Sequence, residues 1–218
     1  MCSSDLEKLC AVPHGSGNIK AISDLCAGFA RELGLKYRQD DANNLVIWKE
    51  ASPGYEGAAP IILQGHMDMV CTKTEDCTKD MAVEGLDLMT DGEWVWAKDT
   101  TLGGDNGIAV AMILAILADP TLAHPPIEAL LTTDEETGMD GAVALDCSDL
   151  RGGNCSTWTR RRKGCLPSPA PGASVWTACS PVRRREPPAW RAMKSFWTAC
   201  RAATPALTST RAAARPTS

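Results

Sequence analysis

The chain has 218 residues, ten cysteines and a formal net charge of −5, which bounds it to one large domain or two small ones. Its longest apolar stretch, residues 107–117, is well short of the roughly 20 residues that span a bilayer. The first residues show neither a basic segment nor an apolar one, so no secretory signal and no membrane partner are expected. No two cysteines form a Cys-x-x-Cys pair, which argues against a zinc ribbon or a thioredoxin motif. A cytoplasmic protein with reduced thiols is expected.

The whole-chain averages conceal a split. Residues 1–150 hold 9 Lys and Arg against 26 Asp and Glu, a net of −17, whereas residues 151–218 hold 13 basic residues and a single acid, Glu186, a net of +12. The second part also carries 8 of the 14 prolines and 4 of the 7 tryptophans, and has no Asp. Two units are expected: an acidic one over 1–150, and a basic Pro/Arg/Ala-rich tail over 151–218. The tail has no sustained periodicity and predicts no fold of its own.

Along the acidic unit, residues 5–11 and 18–33 predict helices. The second places Ile19, Ile22, Leu25, Phe29 and Leu33 at helical spacing and stops at Gly34. Residues 35–39 and 44–48 predict strands about an Asp40-Asp41-Ala42-Asn43 turn, and Pro53-Gly54 marks a loop. Residues 60–64 are a short, continuous apolar run of the kind buried in a parallel or mixed sheet. The region 71–90 is polar and irregular. Residues 93–97 predict a strand in which Trp94 and Trp96 pack against a sheet. An apolar helix follows over 106–118, closed by Asp119-Pro120, then a buried strand over 127–132 and a helix start near Asp140. Strands alternating with helices imply an α/β fold with a layered, mixed sheet flanked by helices.

Three acidic clusters follow apolar runs, and ligands in such sheets gather beyond the carboxyl ends of strands. The first, Gly65-His66-Met67-Asp68, holds His66 and Asp68 at a spacing of two, which puts both side chains on one side of an extended chain. Asp68 is suited to orient the imidazole or the site around it. The second, Gly103-Gly104-Asp105-Asn106-Gly107, places Asp105 at a helix start, as an N-cap or as a metal ligand. The third is Asp134-Glu135-Glu136. It is either a solvated loop or a pair in which one glutamate binds a metal and its neighbour acts as general base. If the three ends converge, one imidazole and several carboxylates form a site for a divalent metal such as zinc. His14 and His124, each beside a proline, are read as structural.

In their order and spacing these clusters resemble the co-catalytic zinc peptidases of the aminoacylase and carboxypeptidase superfamily. Within it the resemblance is to the aminoacyl-histidine dipeptidases, also called cytosol non-specific dipeptidases. It spans residues 5–150 and includes Val12-Pro13-His14, Gly65-His66-Met67-Asp68-Met69-Val70, Thr100-Thr101-Leu102-Gly103 and Gly138-Met139-Asp140-Gly141-Ala142. The resemblance implies the N-terminal part of a zinc-peptidase catalytic domain that hydrolyses Xaa-His and other dipeptides. It implies two zinc ions, or other divalent metals, with His66 on one, Glu136 on the other and Asp105 bridging them. It also implies Glu135 as general base, Asp68 as the residue orienting His66, and a homodimer formed through a further domain. Alternatives are a tripeptide aminopeptidase, an acyl-amino-acid deacylase, or a non-catalytic fragment with a basic binding tail.

The family's next features are absent from the tail as written. These are an Asn-x-Asp-Ser-Glu-Glu segment carrying a further Asp ligand, a lid or dimerisation segment containing Gly-Gly-His-Ser-Gly, and a distant His ligand. The genetic code accounts for the first two. Trp is always TGG and Thr always ACN, so Trp158-Thr159 contains GAC, an Asp codon, one base out of phase. In that phase, allowed codons for residues 154–164 read Leu-Leu-Asn-Leu-Asp-Ser-Glu-Glu-Glu-Gly. Those for residues 197–213 read Asp-Gly-Leu-Gln-Gly-Gly-His-Ser-Gly-Thr-Asp-Ile-His-Lys-Gly-Arg. A frameshift near Gly152-Gly153 is therefore expected. The basic runs at 160–163 and 183–185, and the four cysteines of the tail, then carry no function, and no nucleic-acid partner is expected.

Overall fold

The computed structural model describes residues 2–92 and 94–157. Residues 158–218 of the expected unstructured tail, with its basic runs and three of its cysteines, lie outside these residues, as does Glu93 at the start of an expected strand. In chain order the elements are α1 (Cys2–Cys10), α2 (Lys20–Glu32), β1 (Lys36–Gln39), β2 (Leu45–Lys49), β3 (Ile61–His66), β4 (Leu88–Thr90), β5 (Val95–Ala97), α3 (Gly104–Ala118), β6 (Ile127–Thr132), α4 (Asp140–Ala144) and β7 (Asn154–Thr157). The α/β class and the mixed sheet are as expected. Five strands pair in the order β1-β2-β6-β3-β7. β1 and β2, and β2 and β6, are antiparallel, whereas β3 runs parallel to both β6 and β7. β7 extends the sheet beyond residue 150, the expected boundary of the acidic unit.

Strand period two sorts the sheet's side chains. Leu45, Ile47, Leu63, Ile127, Ala129 and Leu131 face a single core built with α1, α2 and α3. Val46, Ile62 and Leu130 point the other way, under Leu145, Leu150 and Cys155. α3 is apolar all round because it is enclosed, lying between α1 and β3. α2 keeps most of the expected stripe, with Ile19 and Ile22 buried and Leu25 and Phe29 packed against the same core, but Ser23, Cys26, Ala27 and Ala30 are buried too and Leu33 is exposed. Small side chains let this helix sit close to the sheet, and the Ser23 hydroxyl donates to Asn43 O at 2.7 Å.

Three local expectations are corrected. β3 continues two residues past Gln64, because its pairing with β6 runs on to His66↔Thr132, so His66 ends the strand rather than following it. The region 71–90 is not wholly irregular, since Leu88–Thr90 pairs with Val95–Ala97. Trp94 and Trp96 are 38 % and 42 % exposed, so this two-stranded ribbon does not bury them in sheet packing.

Candidate metal centre

Parallel pairing places the carboxyl ends of β3 and β6 side by side. Met67 N donates to Thr132 O at 2.8 Å, which extends the pairing one step and leaves Asp68 next to the turn after β6. That turn is held by groups far away in sequence. Asn44, 1 % exposed, accepts from Thr133 N through Oδ1 and donates through Nδ2 to Asp40 and to Gly141 O. Gly17 N donates to Asp134 Oδ1 at 2.6 Å.

The second cluster is brought in by a loop that turns at a glycine. Gly103 has φ +68, and a Cβ there would lie 2.7 Å from Met69 Sδ. Both facts require glycine. Thr101 reinforces the approach: its N–H donates to Thr72 O at 2.9 Å and its hydroxyl to Val70 O at 2.7 Å. Asp105 has extended φ/ψ (−95, 102) at the kink in the first turn of α3. Its carboxylate turns toward His66.

His66 is 2 % exposed and faces three carboxylates. Its Nε2 lies 3.4 Å from Asp105 Oδ1 and 3.8 Å from Glu135 Oε2, and its Nδ1 lies 3.4 Å from Asp68 Oδ1. Asp68 O also lies 3.1 Å from Nδ1, so Nδ1 is directed at Asp68 and Nε2 at the open side. Glu136 completes the group: ligand atoms of His66, Glu135 and Glu136 all lie within 4.8 Å of one another. All five residues singled out in the sequence, His66, Asp68, Asp105, Glu135 and Glu136, therefore meet at one end of the sheet.

Electrostatics follow from that crowding. Burial lowers the His66 pKa, but Asp105, Asp68 and Glu135 outweigh it and raise it to about 10. Burial likewise raises Asp68, but His66, the N–H groups of Glu135 and Glu136 and the Ser16 hydroxyl bring it down to about 2. Glu136 is raised, by burial and then by its carboxylate neighbours. A site that gathers one imidazole with this many carboxylates stabilises a cation, and its N/O donor set fits a divalent metal.

The chain is 44 % identical over 138 residues to the cytosol non-specific dipeptidase of Escherichia coli strain K12, a match covering 63 % of this chain and 28 % of that one. The chain resembles this dipeptidase over its N-terminal segment. Its fold superposes on the aminoacylhistidine dipeptidase of Vibrio alginolyticus with TM-score 0.69 and 42 % identity, covering 72 % of this chain and 32 % of the other. A tripeptidase of Staphylococcus aureus shares the fold at TM-score 0.60 and 21 % identity. No protein-family model matches. The chain thus spans about a third of the length of these dipeptidases.

Two contributors had no signal in the sequence. Ser16 Oγ donates to Asp68 Oδ2 at 2.8 Å, and Asn44 fixes the turn that carries Glu135 and Glu136. Each sits in a loop or at a strand edge whose local pattern says nothing of a partner more than 50 residues away. His14 and His124 are buried and bonded through Nδ1 to the carbonyls of Val12 and Pro125, as structural histidines are.

Proposed function

We propose that this chain carries the N-terminal part of a metal-dependent dipeptidase acting on Xaa-His and other dipeptides. The observation that supports it is the convergence of His66, Asp105, Glu135 and Glu136 at one sheet edge in a chain 44 % identical to a dipeptidase over 138 residues. His66, Asp105 and Glu136 would hold the metal, zinc by preference for this donor set. When bound, the metal would polarise the scissile carbonyl and favour ionisation of water. Glu135 takes the proton from the attacking water and returns it to the leaving amine nitrogen, so that water adds across the peptide bond and no net proton is lost. Asp68 holds His66 through Nδ1 and keeps Nε2 facing the site.

In this reading the coding phase changes near Gly152-Gly153. β7 is parallel to β3, and Thr157 lies level with Gln64, so its carboxyl end faces the edge that carries His66. An acid directly after that strand suits the site, and the alternative phase supplies Asp there. The chain as written then lacks a ligand, binds zinc weakly and turns over slowly. The free thiols of Cys10, Cys26, Cys71, Cys77, Cys147 and Cys155 suit a cytoplasmic location. Among the described residues no helix is long and apolar enough to cross a membrane.

Resequencing the coding DNA across Gly152, and assaying the restored chain on Xaa-His dipeptides, tripeptides and acylated amino acids with zinc and with chelator, tests this. Chelator-sensitive dipeptide hydrolysis by the restored chain is the expected result. An unbroken frame, with tight zinc binding and full activity in the 218-residue chain, would overturn the phase change. Preference for tripeptides or acylated amino acids would overturn the substrate class.

A further inference from the structure

The loop that presents Asp105 is bounded by polar groups that the fold does not satisfy. Asn106 is 1 % exposed, and neither its Oδ1 nor its Nδ2 has a hydrogen-bond partner among the described residues. The Thr100 hydroxyl, at the other end of the same loop, is likewise buried without one. An amide carries two donor hydrogens and an acceptor, so Asn106 leaves a full set of bonds unmade. Most buried polar groups in folded proteins are paired, and one that is not lowers stability. The surroundings offer no compensation. α3 is apolar beyond this turn, and a Cβ built at Gly107 would lie 3.6 Å from Leu6 Cδ1 of α1. A leucine, with the same branching, would suit such a setting better. The residue is nevertheless an asparagine, directly after Asp105 and at the kink where α3 begins.

We propose that Asn106 is a positioning residue for the metal centre: its amide is held in reserve to fix the Asp105 loop once that carboxylate has moved from His66 to a divalent cation. The inference rests on the reading of the site as a metal centre and adds to it a residue that does not touch the metal. Without metal, Asp105 Oδ1 faces His66 Nε2 at 3.4 Å. A cation between these groups changes where the carboxylate sits, and the backbone on either side of it follows. Gly104, directly before Asp105, resists such a shift little. That freedom opposes precision, and a ligand has to be held to within about 0.5 Å. A neighbouring amide with both donors and an acceptor to offer supplies the restraint without adding charge. The stability given up in the metal-free chain is recovered when metal binds.

Asn106→Leu and Asn106→Ala, made in the full 218-residue chain, test this beside the parent and His66→Asn. In chelator, Asn106→Leu should raise the urea midpoint by about 1 M, because it removes an unsatisfied amide. Asn106→Ala, which cannot overcrowd the site, should not fall below the parent's midpoint. Zinc affinity, read by competition against a chelator, should drop about tenfold in both. With cobalt(II) in place of zinc, the visible absorption bands of both variants should change in position or intensity, since those bands follow ligand geometry. A role confined to packing would move the urea midpoint and leave affinity and bands as in the parent, and that result overturns the proposal. Lower midpoints in both variants would show the amide already bonded within the metal-free fold, and would overturn it as well. His66→Asn separates the two failures. If the parent binds neither metal, or if His66→Asn leaves affinity and bands untouched, the metal-centre reading falls and the inference falls with it. Altered bands in His66→Asn beside unaltered bands in the Asn106 variants sink the inference alone.

Discussion

At the scale of single residues, His66 makes the folded state of the metal-free chain sensitive to pH. Its pKa is raised from 6.5 to about 10, so its charged form favours the folded state. That contribution is fully present below pH 6.5 and is lost as pH rises through about 10. Thermal melts in chelator should therefore fall across this window, and the His66→Asn chain should lack that part of the decline; identical slopes would rule the imidazolium out as the cause. Asp68 acts in the opposite sense: its contribution is present above its ordinary value of 3.8 and lost as pH falls through about 2. Zinc competes with the His66 proton, so binding at neutral pH should release it, measurable as buffer-dependent binding heat. Ser16→Ala removes the hydroxyl from Asp68 and should weaken zinc binding about tenfold, in line with the loss of a supporting partner behind a metal ligand. Competition against a chelator checks this, and Ser16→Thr should restore much of the affinity.

At the scale of elements, two connections carry more than their length suggests. Gly103→Ala forces a left-handed residue to carry a Cβ against Met69 Sδ, and should cost about 1–3 kcal/mol in urea denaturation. Glu128, 1 % exposed near the start of β6, accepts from Arg151 N and Gly152 N at 2.8–3.0 Å. This carboxylate holds the chain that leads into β7. Glu128→Ala leaves those amides without their acceptor, at about 1–3 kcal/mol. Amide exchange should accelerate at residues 154–157 while β3 stays protected; uniform acceleration across the sheet would mean that Glu128 supports the whole core rather than this strand. The helices teach a related lesson. The apolar run of α3 was legible because a helix enclosed on all sides needs no stripe. The buried face of α2 was legible in Ile19, Ile22, Leu25 and Phe29 but not in Cys26, Ala27 and Ala30, small residues selected by the close approach to the sheet.

At the scale of the whole molecule, the residues of the metal centre lie between 16 and 136, and the sheet that aligns them spans 36–157. A chain ending at Thr157 should therefore keep the zinc affinity and the pH dependence of the 218-residue chain. A marked loss of affinity would place a further ligand within residues 158–218 and count against the phase change. The charge split of −17 over 1–150 against +12 over 151–218 gives the same pair of chains a second use. Any salt-dependent binding to DNA should be lost with the tail, and its persistence in the shorter chain would assign it to the sheet domain.

The sequence by itself determined the kinds of donor and their local direction. The spacing of His66 and Asp68, the glycines before Asp105 and the acids after a buried strand are short-range facts, readable because strands and turns repeat over two or three residues. It also determined the α/β class, through the alternation of apolar strands and helices. Only the tertiary structure decided which of these groups meet. Residues 61–66 and 127–132 pair in parallel, a choice no local pattern encodes, and that register sets His66 opposite Thr132 and brings Glu135 within reach of Nε2. The same long-range packing made Asp105 a neighbour of His66 and drew in Ser16 and Asn44. A contact between distant segments follows from how the whole sheet buries its two faces, and not from the residues on either side of it.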